Sequence, residues 1–121
     1  MFSRFVSITL KPNAGQEFTN ALANTVLPIL REQRGFRDEM LFVTPGGPEV
    51  LAVSIWDSQE DADKYSRSAY PDILNSVSHL IDGTPRVATY LLAFSTAHKV
   101  ELGKMPVQSP NITPVPGVGG G

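Results

Sequence analysis

The nine residues EVLAVSIWD (49–57) constrain the fold more than any other stretch of the chain. In a strand, successive side chains point to opposite faces. Val50, Ala52, Ser54 and Trp56 therefore share one face, and Leu51, Val53 and Ile55 share the other. Both sets are largely apolar. An antiparallel sheet with one face in water alternates apolar with polar residues, and this run does not. The stretch RVATYLLAFSTAHK (86–99) repeats the pattern, with Val87, Thr89, Leu91 and Ala93 set against Ala88, Tyr90, Leu92 and Phe94. A sheet built from such strands is expected to be covered on both sides.

The rest of the chain reads as alternating elements. Residues 2–10 are rich in β-branched types and form a strand, which Lys11-Pro12-Asn13 breaks. From Ala14 a helical period places Phe18, Leu22, Val26, Ile29 and Leu30 on one side. Pro28 lacks an amide hydrogen and is expected to kink that helix or end its first part; Gly35 is expected to cap its C-terminus. FRDEMLFVT (36–44) and EVLAVSIWD flank PGGP as a hairpin. Ser58 followed by Asp61 predicts an N-cap, opening a helix near residue 59 with Ala62, Tyr65 and Ala69 on one face. Pro71 suits the first residue of a second helical piece. That piece carries the stripe Ile73, Leu74, Val77, Leu80 and Ile81, and Asp82-Gly83 is expected to stop it. With a last strand over 86–99 the order is βαββαβ: a ferredoxin-like α+β fold, its helices on one face of an antiparallel sheet.

The helices leave the second face bare, and the chain beyond residue 99 is rich in Pro and Gly and without periodicity. Residues 1–100 are expected to form the domain and 101–121 a tail. The economical cover for the second face is another copy of the chain, sheet against sheet, in a two-fold homodimer.

Composition narrows the function classes. A formal charge of −2, with Lys and Arg scattered, gives no electrostatic case for nucleic acid. The absence of cysteine removes thiolate chemistry and cysteine metal sites. Only six uncharged residues separate Arg4 from Lys11, too few for a signal peptide, and nothing reaches the length of a membrane span. The expectation is a cytoplasmic protein without membrane or nucleic-acid partners.

Three stretches carry a likeness: ITLKPNAGQEF opening the first helix, LPILREQRGFRDEMLF around Gly35, and VLAVSIWDSQEDADKYSRSAYPDIL at the second crossover. Their order and spacing from Phe2 to about Lys99 resemble the antibiotic-biosynthesis-monooxygenase-like domain of the dimeric α/β-barrel superfamily. The resemblance implies a homodimer whose sheets form a barrel, with a pocket in each subunit between sheet and helices. Some members resemble cofactor-free oxygenases of phenolic or polyketide aromatics, in which the ionised substrate itself reacts with oxygen. The haem-degrading branch carries Trp and His where Tyr65 and Asn75 align, and Asn where Val6 aligns. This chain departs at all three, and an Asn side chain is a poor iron ligand beside imidazole.

Against that background the aromatic residues are the candidates. Trp56 either packs beneath the second helix as core or walls the pocket with its indole N–H aimed at a ligand. Tyr65, flanked by Ala62 and Ala69, has room around it. Its hydroxyl needs a partner, in the core or in a ligand. Tyr70, at the junction of the helical pieces, is a hinge filler or pocket rim. The pattern leaves open which side of the sheet Tyr90 faces. His79 lies opposite the apolar stripe and His98 near the end of the last strand, so both are expected at the surface, without a metal site or a Ser-His-Asp triad. Asp57, Glu60, Asp61 and Asp63 suit a helix's first turn; GVGGG is no dinucleotide fingerprint.

The expected function is a cofactor-independent monooxygenase of a small aromatic, quinol or polyketide-like molecule. Tyr65 would orient or help deprotonate a substrate hydroxyl, and Trp56, Tyr70 and Tyr90 would line the cavity. The alternative is a non-catalytic dimer of the same fold that binds a small ligand or serves assembly.

Overall fold

β1 (Phe2–Leu10) pairs antiparallel with β3 (Glu49–Trp56) on one side and β4 (Ile81–Leu91) on the other, and β2 (Phe36–Val43) joins β3 across the hairpin. The strand order is β2-β3-β1-β4. With the helices between β1 and β2 and between β3 and β4, this is the ferredoxin-like α+β fold. The computed structural model describes residues 1–100; the expected tail, 101–121, lies outside the described residues. No helix among the described residues is long and apolar enough to cross a membrane.

The first crossover is not one kinked helix. It consists of α1 (Gly15–Ala21), a π-helical turn (Leu22–Val26) and α2 (Leu27–Arg31). The Leu27 N–H reaches back to the Leu22 carbonyl, five residues earlier. Pro28 has no N–H to give, and its ring would press on the carbonyl four residues back in a continuous α-helix. The wide turn just before it lets Pro28 occupy the opening turn of a fresh segment, where no intrahelical donor is needed. The irregularity therefore falls a turn ahead of the expected kink. Gly35 lies beyond the helix end, at φ 80°, facing Asp61.

The second crossover matches the sequence reading closely at its start. The Ser58 hydroxyl accepts from the Asp61 amide at 3.1 Å and donates to the Asp61 carboxylate at 3.0 Å, opening α3 (Gln59–Arg67). α4 (Tyr70–Val77) comes next, with Pro71 in its first turn.

Its end differs from expectation. α4 finishes at Val77, a short turn covers Ser78–Leu80, and the chain is already in β4 at Ile81. Asp82-Gly83 is thus inside the strand rather than a helix stop. Thr9 pairs with Asp82 but Ser7 with Arg86, so β4 carries a bulge there. Gly83, at φ 73°, and Pro85, which cannot donate to a ladder, both fit a bulge. β4 also ends at Leu91 rather than 99, because its partner runs out. Phe2 pairs with Leu91, and the Leu92 amide makes one more bond, to the Met1 carbonyl.

The helices cover the face carrying Phe2, Arg4, Val6, Ile8 and Leu10. Two apolar clusters form beneath them. One gathers Val6, Ile8, Phe18, Ala52 and Val77; the other gathers Phe2, Val26, Leu30, Trp56, Tyr65 and Ile73. The opposite face carries Phe5, Leu51, Val53, Ile55, Phe42 and Tyr90. Phe42 and Tyr90 there are more than half exposed. The chain after Leu91 leaves the sheet, and the His98 ring reaches the Asp38 carboxylate on β2, the far edge strand, at 2.9 Å. His98 is consequently half-buried rather than at the surface, and the chain itself spans one end of this face.

Candidate functional site

A cross-strand row of polar side chains interrupts the apolar face beneath the helices. Arg4 of β1 pairs with Ser54 of β3, and Ser54 pairs on its other side with Glu39 of β2. Directly opposed residues share a face, so all three point toward the helices. Glu39 does so because of a bulge. Phe36 pairs with Trp56 but Asp38 with Ile55, leaving Arg37 as the extra residue. Simple alternation from Phe36 would have turned Glu39 outward; the inserted residue re-aims it inward. Arg37 in turn points out to solvent and pairs with Asp57.

Over this row lies a cavity of about 50 Å³, enough for a few water molecules. It sits at the divide between the two apolar clusters. Its walls are Val6, Ile8 and Ala52 of the sheet, Phe18, Leu22 and Val26 of the first crossover, and Ile73, Leu74 and Val77 of α4. Its polar lining is Arg4, Glu39, Ser54, Tyr65 and Tyr70.

Tyr65 and Tyr70 are where the sequence placed them, on the cavity. Tyr65 is 5 % exposed and stacks on Trp56, ring centroids 4.9 Å apart; Tyr70 lies 6.1 Å from Tyr65. Burial pushes the Tyr65 phenol above its usual range, more than nearby Arg4 pulls it down. That removes Tyr65 as a base and leaves it as a hydrogen-bond donor.

Trp56 and Tyr90 are not cavity residues. Trp56 is fully buried behind Tyr65, and its indole N–H donates to the Ser54 hydroxyl at 2.8 Å, so it has none to offer a ligand. It is core, as one of the two sequence readings had it. Tyr90 pairs with Ser3 on the opposite face and packs edge-on against Phe5, ring centroids 5.1 Å apart. The whole thickness of the sheet separates it from the cavity. His79 is exposed beside Glu17.

Sequence reading missed Arg4 and Glu39. Arg4 is 4 % exposed. Its guanidinium carbon lies 4.0 Å from the Tyr70 ring centroid and 5.7 Å from that of Tyr65. Among the described residues no carboxylate pairs with it. The Glu39 Oε1 is buried without a hydrogen-bond partner. Burial raises the Glu39 carboxyl to about 8, against the pull of Arg4 and of a backbone hydrogen bond from Met40, and with a further push from Asp38. The signal available in the sequence was an arginine inside an otherwise uncharged strand, SRFVSITL, where a buried cation is expensive.

Comparison with known proteins places this architecture. Residues 1–71 match the family model described as antibiotic biosynthesis monooxygenase. Among solved structures, the monooxygenase ActVA-Orf6 of Streptomyces coelicolor, in complex with nanaomycin D, superposes with a TM-score of 0.67 at 16% identity, over 78% of this chain and 88% of that one. A variant of SnoaB, a cofactor-independent oxygenase from Streptomyces nogalater, gives 0.65 at 14% identity, over 80% of this chain and 97% of its own. Rv0793 from Mycobacterium tuberculosis gives 0.62 at 17%, over 78% and 97%. At such identities the structural likeness establishes the fold alone. No curated protein matches the sequence.

Proposed function

The chain belongs to the antibiotic biosynthesis monooxygenase family, and from that premise we propose that it is a cofactor-independent oxygenase of a small phenolic or quinol-like molecule, acting as a homodimer. One observation carries the reading: Tyr65 shares a single cavity with further polar groups, Arg4 and Glu39, instead of being bonded off against backbone. A filled interior would have favoured the non-catalytic alternative. The small-ligand chemistry is also that of a structural neighbour, ActVA-Orf6, which was solved with nanaomycin D.

In this reaction the substrate supplies its own electrons. A methylene flanked by aromatic rings is converted by one O₂ into a carbonyl, the second oxygen atom leaving as water with the two hydrogens. A quinol becomes a hydroxyquinone with the same balance. The protein's task is to bind the ionised substrate, keep bulk water out and orient it. The apolar walls exclude water. Tyr65, held flat against Trp56, donates a hydrogen bond to the substrate oxygen as negative charge moves through it. Tyr70 and Leu74 are the half-buried members of the cavity wall on α4.

The homodimer reading is supported by the second face of the sheet. Its centre, Val53 and Ile55, is buried within the chain, but it leaves Phe42 and Tyr90 more than half exposed toward its two edges, and large apolar side chains left bare in this way suit an interaction surface.

Oxygen uptake with a panel of quinols and anthrone-like phenols tests the activity, with product mass gain and water formation closing the balance. Tight binding of these molecules with no oxygen uptake by any of them would replace the oxygenase with the ligand-binding module.

A further inference from the structure

We propose that Arg4 and Glu39 form a binding site for a small planar oxygen acid in its ionised form, of the phenolate or enolate class, with the anion held by the Arg4 guanidinium and sharing one proton with the Glu39 carboxyl. This deepens the oxygenase reading, and rests on it for the choice of phenolate over other anions.

Each of the two side chains is anomalous for its place under the helices, Arg4 nearly fully buried and Glu39 half-buried. A cation as buried as Arg4 normally stands against a carboxylate, because stripping it of water is costly. The cation–π contact with Tyr70 offsets only part of that cost. Glu39 lines the same cavity, yet among the described residues no ion pair joins the two. The Glu39 Oε1 has no partner either. One strand, carrying Ser54, separates them in the row, and the cavity opens above. A ligand oxygen lying there meets the planar fork of an arginine on one side and a carboxyl on the other. Arginine's fork suits a planar oxyanion, and Tyr65 and Tyr70 suit its ring.

The groups facing Glu39 are few. Arg4 faces it from β1, Tyr65 from α3 and Tyr70 from α4, with Asp38 adjacent on β2. β3 contributes Ala52 and Ser54, and the first crossover contributes Thr19 and otherwise apolar side chains, none of them ionisable. In the neutral range Glu39 holds its proton, so the free site is a cation beside a neutral acid, which is complementary to one negative charge.

The bound state is reached by two routes. A phenolate meets the protonated carboxyl directly. Alternatively, a neutral phenol gives its proton to the Glu39 carboxylate: the substrate O–H bond breaks, the Oε1–H bond forms, and the electron pair stays on the substrate oxygen. Either way the complex holds one anion and one shared proton.

Pentafluorophenol, ionised throughout the neutral and alkaline range, is the probe, its binding to the full chain read by fluorine NMR. With the wild-type protein, affinity is expected to be flat near neutrality and to fall tenfold per pH unit above about 8, as ionised Glu39 repels the ligand. Glu39→Gln is expected to bind with no such fall. Arg4→Met is expected to lose at least about tenfold at every pH. The site is overturned if the wild-type profile is flat, if Glu39→Gln keeps the alkaline fall, if Arg4→Met binds as well as wild type, or if the folded protein does not bind the probe. Should Arg4→Met fail to fold, the Glu39→Gln profile decides by itself. Benzoate, run in parallel, separates the sources of the anion; tighter binding of benzoate overturns the phenolate assignment. Oxygen uptake is scored apart from binding. The expected binding profile without uptake of oxygen sinks the oxygenase and leaves the anion site. Uptake unchanged in Glu39→Gln, with a flat binding profile, does the reverse.

Discussion

Replacing Glu39 by glutamine should change how stability depends on pH, by an amount set by burial. In the unfolded chain the carboxyl titrates at its ordinary value of 4.5; in the folded protein it titrates at about 8. Between those values the folded state keeps a proton that the unfolded state releases, so stability falls as pH rises. At 1.36 kcal/mol per pH unit, this one group removes about 3 kcal/mol by neutrality and about 5 kcal/mol once the pH passes the folded value. A glutamine of the same shape does not titrate. Groups away from Glu39 titrate alike in both proteins, and Tyr65, which Glu39 touches electrostatically, titrates above this range, so the difference between their stabilities reports on Glu39. Urea unfolding, monitored by the emission of Trp56, the chain's one tryptophan, measures it. From about pH 5 to about pH 9 the variant should gain about 4 kcal/mol on the wild type. Parallel curves would refute the reasoning, since they would mean that Glu39 is solvated or already paired.

Tyr65→Phe keeps the stack on Trp56 and removes one donor, so oxygen uptake should drop about 10- to 100-fold at nearly unchanged stability; unchanged turnover would take Tyr65 out of the mechanism. Gly35→Ala should destabilise the fold by about 2 kcal/mol or more in the same urea assay. The added Cβ would meet the Asp61 carboxylate, and φ 80° is strained for any other L-residue. Phe42→Asp should shift a sedimenting dimer to monomers without unfolding it, because Phe42 is 54% exposed on the far face and carries little of the core; an unchanged dimer would place the interface elsewhere.

The order of the elements and the starts of the helices in the second crossover were legible because they rest on local signals. Ser58 with Asp61 opened α3 as expected, and the doubly apolar β3 lay at the centre of the sheet. What misled was punctuation read without its tertiary partner. Asp82-Gly83 looks like a helix stop, and only the register against β1 reveals a bulge. Nothing local ends β4 at Leu91; the end of β1 does. For the site, aromatic residues are the legible pocket signal, and it holds for Tyr65 and Tyr70, which line the cavity. It does not separate them from Trp56, whose N–H is satisfied by Ser54, or from Tyr90, whose side of the sheet only register fixes. Glu39 was hidden by the Arg37 bulge. Counting alternate residues from Phe36 puts it on the wrong face, and no propensity announces the extra residue.

The polar row is best understood by asking which of its members the fold itself uses. Ser54 is accounted for: it accepts the Trp56 N–H, which would otherwise be a buried orphan. Arg4 and Glu39 have no such duty. Each sits under the helices where an apolar side chain of similar volume would be neutral or stabilising; among the described residues Arg4 has no carboxylate against it and the Glu39 Oε1 has no hydrogen-bond partner. A mutual ion pair would have been the simple remedy, since one strand of separation is within reach of two long side chains. It is not made, and the space where it would form is the cavity. Tyr65, which could have closed that space, is instead held flat against Trp56. A buried cation and a half-buried carboxyl with one unpartnered oxygen, left facing the same small void, are accounted for by a ligand that completes them both.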